Sequence, residues 1–276
     1  MNDTRPGMQA LPKTSALALS IAPATCSPDC HSYHAIWGFM RLFGNLPAVA
    51  NDHAFMLSAI DTAIEAGARK VLVSGSADHG VLAYVIAAFD NAGVRPDITV
   101  IDQCGTPLAV CSAYAREHGH TIKTHACDAL TYFGGPFDLI VAHNFLNFFS
   151  PDARVTLVRN WAALLVENGC MINLSAVKEN VPERVLRFPP EKAEELAERM
   201  CDARRASAHS GLISEEEMRH LVHDYCARRN SWAIPDIESL TAPFLNNGFV
   251  FDTPPRVDQL ASRPGRKRVG IIARRA

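Results

Sequence analysis

The chain has 276 residues, with 27 Lys and Arg against 29 Asp and Glu and a formal net charge of -2. That length can bury a sizeable core, and the near-balanced charge excludes a broad electrostatic attraction for nucleic acid or an acidic membrane surface, which favours a small, roughly neutral partner. No apolar run approaches the roughly 20 residues that cross a bilayer, so a cytoplasmic protein is expected, with a homodimer kept open.

The first 25 residues contain S-A-L-A-L-S-I-A-P-A, faintly like a signal-peptide core, but the basic region before it is thin and Pro23 breaks the run. A flexible or lightly docked tail over 1–25 is the expectation. Eight scattered cysteines form no disulfide framework and read as reduced thiols. One local group, Cys26, Cys30, His31 and His34, could offer sulfur and imidazole to zinc. Its C-x3-C-H-x2-H spacing is not that of a zinc knuckle and would crowd the ligands, so no metal is expected.

Helical spacing of Tyr33, Ile36, Trp37 and Met40 predicts a helix over 32–44, closed by Gly44 and Pro47. A second helix over 52–65 completes a helical cap assigned to 26–66. From 67 the pattern becomes short β-branched runs alternating with helices: strands at 71–73, 98–101, 121–125, 137–142 and 171–174, helices at 82–91, 108–118 and 154–166, the last ended by Gly169. Two amphipathic helices follow, over 191–206 and from Ser214, whose S-E-E-E reads as a capping box. They form an insertion over 179–230 that either covers the sheet or acts as a lid. A helix at 237–246 and strands at 249–251 and 269–273 close the chain, and the basic run R-P-G-R-K-R over 263–268 reads as a solvated hairpin. Strict alternation predicts an α/β, doubly wound, mostly parallel seven-stranded sheet, because right-handed crossovers must pack back on it. The domain is assigned to 67–276.

In such a sheet, ligands bind at the carboxyl ends of the strands, where the order reverses. Gly75, Asp102, Asp128 and the pair His143 and Asn144 all fall on strand ends. The order resembles the class I S-adenosylmethionine-dependent methyltransferases over about 68–174, and L-N-N-G-F-V-F through V-G-I-I-A-R-R resembles their closing unit. A nucleotide-binding G-x-G-x-x-G is absent, which argues against NAD.

The resemblance implies S-adenosylmethionine as cofactor and methyl transfer to a small molecule. In V-S-G-S-A-D-H-G, Val73 or Ser74 stands where the family has an acid, and Gly75, Ser76 and Ala77 are small enough to let the backbone approach the methionine portion. The contact to its amino group falls to Asp78 or to the cap. Asp102 corresponds to the acid that accepts both ribose hydroxyls, with Gln103 beside the adenine; Asp128 corresponds to the acceptor for the adenine amine, with the Ala129 amide near the ring. For both acids a helix N-cap is the bland alternative. His143 is read as a general base or as a cofactor-lining residue, Asn144 as acceptor-facing, and Tyr33 and His34 as cap residues closing over the site, although aromatic residues at this spacing also pack cores. Two other functions stay open: attack on the aminocarboxypropyl carbon with release of methylthioadenosine, and a binding protein without turnover.

Overall fold

The computed structural model describes residues 3–46, 48–259 and 265–276. Pro47, expected to close the first cap helix, and Arg263, at the start of the basic run, lie outside the described residues.

Three helices precede the first strand: α1 (Leu11–Thr25), α2 (His31–Leu42) and α3 (His53–Glu65). Then come β1 (Lys70–Ser74), α4 (Gly80–Asn91), β2 (Asp97–Asp102), α5 (Gly105–Glu117), β3 (Lys123–Ala126), β4 (Phe137–His143), α6 (Pro151–Leu164) and β5 (Leu165–Lys178). The insertion holds β6 (Val185–Arg187), α7 (Pro190–Arg205), α8 (Glu215–Arg228) and β7 (Asn230–Trp232); α9 (Ile237–Leu245), β8 (Phe249–Val250), β9 (Arg256–Gln259) and β10 (Arg266–Arg275) follow.

The main sheet runs β3-β2-β1-β4-β5-β10-β8, parallel from β3 to β5, with β10 antiparallel to β5. An eighth strand, β9, pairs with the other end of β10's outer edge. Sequence reading missed it because R-V-D-Q carries a single apolar residue. The strands read as continuous apolar runs because both faces are covered. Val71 and Val73 pack with α3, α4 and α5, while Leu72, Ile140 and Ala142 pack with α6 and α9.

Three expectations change. The 1–25 tail contains α1, with Leu11, Ala18 and Ala22 buried. Small residues explain the docking: a Cβ on Gly38 of α2 would overlap Ser15, so the two helices approach closely. Secondly, α3 belongs to the sheet layers and not to the cap, since Phe55, Met56, Ile60 and Ile64 join the core with β1 and α4. α2 packs instead with α7 and α8 in a separate cluster that includes Phe39, Met40, Met200 and Val222. Thirdly, Gly169 does not end a helix. α6 stops at Leu164, Leu165 already pairs with Phe137, and Asn168 takes the positive φ of 59° in an irregular start to β5.

Ser214 caps α8 as expected, its Oγ accepting from the Glu217 amide. The insertion is tied at its base by the β6–β7 ribbon. No described helix is long and apolar enough to cross a membrane.

Candidate functional site

The strand order reverses between β1 and β4, and a cavity of about 570 Å³ opens at the carboxyl ends of these strands. All twelve residues singled out from the sequence line it: Tyr33, His34, Gly75, Ser76, Ala77, Asp78, Asp102, Gln103, Asp128, Ala129, His143 and Asn144. The 207–211 loop between α7 and α8 is not part of the lining.

Gly75 follows β1 with a φ of 77°, and a Cβ there would overlap the Phe145 ring, so only glycine fits this turn. Ser74, where the family's acid is expected, is fully buried and its Oγ accepts from Trp161 Nε1 at 3.0 Å.

Asp102 is held by two amides: Ser76 N donates to Oδ2 at 3.0 Å and Cys104 N to Oδ1 at 2.9 Å. A carboxylate offers about four acceptor positions, so two remain for a vicinal diol. Burial raises its pKa, against the pull of His34 and the two amides. Asp128 shows both readings at once. Its Oδ1 accepts from the Leu130 amide at 2.9 Å, a local turn, while Oδ2 has no partner among the described residues. Asp78 is spent differently: Oδ2 meets Arg41 Nη1 at 2.5 Å and Oδ1 accepts from the Gly80 amide at 2.7 Å. Burial would raise its pKa, but the buried Arg41 cation, together with His79 and the Gly80 amide, brings the net direction down. The amino-group contact suggested for Asp78 therefore competes with an ion pair already made.

Asn144 is the better-poised acceptor. It sits at a φ of 52° after β4, its amide bonded to Leu174 O at 2.6 Å, and its Oδ1 is buried without a partner. A buried unpaired acceptor costs about 1–3 kcal/mol, which a bound ammonium donor would recover. Asn147 braces this turn on β5 through two bonds with Ala176, at 2.9 and 3.1 Å.

His143 is 8% exposed, and its Nε2 donates to Asp52 Oδ2 at 2.8 Å. Arg268 of β10 pairs with the same carboxylate and lies 3.2 Å from Nε2. The basic run is thus not wholly solvated: Arg268 is 5% exposed and belongs to this cleft. Burial, with the Arg41 cation, lowers the His143 pKa to about 4, so the ring is neutral at neutral pH. Asp52, charge-compensated by Arg268, orients the ring by accepting the Nε2–H hydrogen bond and leaves Nδ1 as the basic atom. Neither Asp52 nor Arg268 was found from the sequence, because 91 and 125 residues separate them from His143.

Tyr33 is packed among Trp37, Tyr225 of α8 and Phe148, with ring centroids 5.1, 5.7 and 6.2 Å away. Burial pushes its pKa well up, so it remains a donor and not a base. His34 turns Nδ1 to Cys26 Sγ at 3.1 Å, away from a proton-transfer role. Burial opposes its charged form, yet hydrogen bonds to Cys26 and Cys30 lift its pKa to about 9. The surprise is Cys104, whose Sγ lies 2.9 Å from that of Cys30. Together Cys26, Cys30, His34 and Cys104 place one ligand atom each within 4.8 Å of one another, whereas His31 turns to Pro28 O. The expectation of no metal was built on local spacing and had no means of including a cysteine 74 residues beyond Cys30.

Asp78, Asp102 and Asp128 lie at the strand ends, and the lining also includes Lys178, Arg229 and Arg266, which are shared with an adjoining pocket that holds Arg187, Lys192 and Arg199.

No family model and no curated protein matches the chain. Solved structures do. The 1,6-didemethyltoxoflavin-N1-methyltransferase of Burkholderia thailandensis, crystallised with 1,6-didemethyltoxoflavin and S-adenosylhomocysteine, is 17% identical with a TM-score of 0.52, covering 91% of each chain. The mitomycin 7-O-methyltransferase MmcR is 13% identical with a TM-score of 0.51, covering 97% of this chain and 67% of that one. Magnesium protoporphyrin IX methyltransferase from Synechocystis PCC 6803, with bound S-adenosylhomocysteine, is 12% identical with a TM-score of 0.50, covering 86% of this chain and 92% of that one. The chain has the fold of the class I S-adenosylmethionine-dependent methyltransferases.

Proposed function

We propose that the protein is an S-adenosylmethionine-dependent methyltransferase that acts on a small anionic acceptor. The observation that carries this reading is the Asp102 carboxylate, fixed by two amides at the tip of β2 with acceptor positions to spare and no cation bonded to it. This matches the need of a ribose diol. The unpaired Oδ2 of Asp128 suits an exocyclic amine, and the orphaned Asn144 Oδ1 suits an ammonium group. These three acceptors fit the polar parts of the cofactor bound by the neighbours of the same fold.

When bound, the cofactor supplies an activated methyl group on a sulfonium. The chain's task is then to orient the acceptor and exclude water. Tyr33, Trp37, Phe148 and Tyr225 provide an apolar wall, and the insertion acts as a lid because α8 contributes Tyr225 to it. His143 takes a proton at Nδ1 from an acidic acceptor group, while Asp52 holds the ring by Nε2. A base lowered to about 4 is weak and suits an acidic enol or phenol better than an aliphatic alcohol, while a carboxylate acceptor needs no base. Lys178, Arg229 and Arg266 add positive charge to the lining and favour an acceptor with a carboxylate or phosphate, in place of the roughly neutral partner expected from net charge.

Calorimetry with S-adenosylmethionine and S-adenosylhomocysteine tests the reading, followed by incubation with panels of anionic and neutral small molecules and mass spectrometry of the nucleoside product. S-adenosylhomocysteine formed with anionic acceptors is the expected result. Methylthioadenosine as the product would move the reaction to the aminocarboxypropyl carbon, and absence of binding would remove the cofactor.

A further inference from the structure

Three helix ends meet beside the Asp102 loop. Cys26 caps the end of α1, Cys30 sits at the N-cap of α2, and Cys104 at the N-cap of α5. Neither N-cap cysteine makes a side-chain capping bond, although this position favours Ser, Thr, Asp or Asn for that purpose. The thiols turn instead toward one another and toward His34, one turn into α2. Cys30 Sγ lies 2.9 Å from Cys104 Sγ, Cys26 Sγ lies 3.1 Å from His34 Nδ1, and all four ligand atoms fall within 4.8 Å.

We propose that Cys26, Cys30, His34 and Cys104 bind one zinc ion as a structural Cys3His site that staples α1 and α2 to the β2–α5 turn. Zn–S bonds of about 2.3 Å in a tetrahedron put sulfur edges near about 3.8 Å, so loading requires Cys30 and Cys104 to part by about 1 Å. Four protein ligands fill the tetrahedron and leave no position for substrate, which makes the ion structural and not catalytic. A partner for the ligand sulfur is already in place. Thr106 Oγ1 lies 2.9 Å from Cys26 Sγ and 2.6 Å from Thr25 Oγ1, the kind of outer hydrogen bond that orients a metal thiolate. The other five cysteines do not compete. Four are buried singly, and Cys127 stands apart from the cluster.

The site has a consequence for the cavity. Cys104 N donates to Asp102, so an ion at Cys104 would fix the backbone that aims the carboxylate. His34 would be a ligand, outside the proton chemistry of the cleft.

The test is elemental analysis of the full chain, expressed with zinc and purified under reduction and without any nucleotide. One zinc per chain is expected. After chelation and reduction, cobalt(II) should bind one to one and give the visible bands of tetrahedral thiolate coordination. Cys104→Ser should lose the metal equivalent, while Cys127→Ser keeps it; if Cys104→Ser does not fold, the cobalt spectrum of the unaltered chain decides. A reduced chain that takes up neither zinc nor cobalt overturns the proposal. So does a metal-free chain whose peptide map shows a Cys30–Cys104 disulfide. Because no cofactor is present, failure of S-adenosylmethionine binding and failure of the metal site are read separately.

Discussion

Two kinds of carboxylate stand in or directly behind the same cleft. Asp52 and Asp78 face buried guanidinium groups, Arg268 and Arg41, and have their charge compensated inside the fold. Asp102 and Asp128 are held by backbone amides alone and keep acceptor positions open. The first pair shapes the site and the second is left with capacity for a ligand. Burial alone does not separate them. What separates them is whether the partner is a cation, which saturates the charge, or an amide, which orients it.

The largest effect expected from this contrast comes from breaking a compensated pair. Asp78→Ala strands Arg41 and should lower unfolding free energy by about 3–5 kcal/mol, measured by urea denaturation. A near-neutral result would place Asp78 with the open group. Asp102→Ala should behave oppositely. Loss of two hydrogen bonds to a charged acceptor weakens S-adenosylmethionine binding by about two to three orders of magnitude in calorimetry, with a smaller change in the ligand-free melt.

His143 supplies a pH test of the compensated half. Its pKa is lowered from 6.5 to about 4, so between these values the unfolded chain binds the extra proton and the folded chain does not. Stability therefore rises with pH across this window and is lost as pH falls through it, by on the order of 3 kcal/mol. Denaturation midpoints from pH 4 to 7 should show the slope, reduced in His143→Asn, and the acid limb of kcat/KM should lie near pH 4 and not near 6.5. Asp128→Ala gives a smaller loss, about 1–2 kcal/mol in cofactor affinity, since one of its oxygens serves only the Leu130 turn. Smallest on the cofactor is Trp161→Phe, which removes the bond to Ser74 and leaves a cavity, and should cost about 2–3 kcal/mol of stability with cofactor affinity unchanged.

The parallel strands and the acids at their ends were legible because both signals are local. An apolar run such as F-D-L-I-V-A announces a strand, and the residue after it falls on the rim. The compensated pairs were not legible. Arg41 and Asp78 come from separate elements, and Arg268 looked like part of an exposed basic turn until β10 delivered it beside Asp52. The same holds for Cys104, which no local spacing joins to Cys26 and Cys30. In α1, small residues concealed a docked helix, because Ala18 and Ala22 gain their contacts through close approach and not through bulk.

Asp102 joins two loops as well as facing the cavity, since one oxygen holds the turn after β1 and the other the turn after β2. The amide hydrogens of Ser76 and Cys104 should therefore exchange with solvent at matched rates, as two reporters of a single opening event. A solute that bridges both oxygens would slow the pair together, giving a kinetic signature of occupancy that needs no turnover.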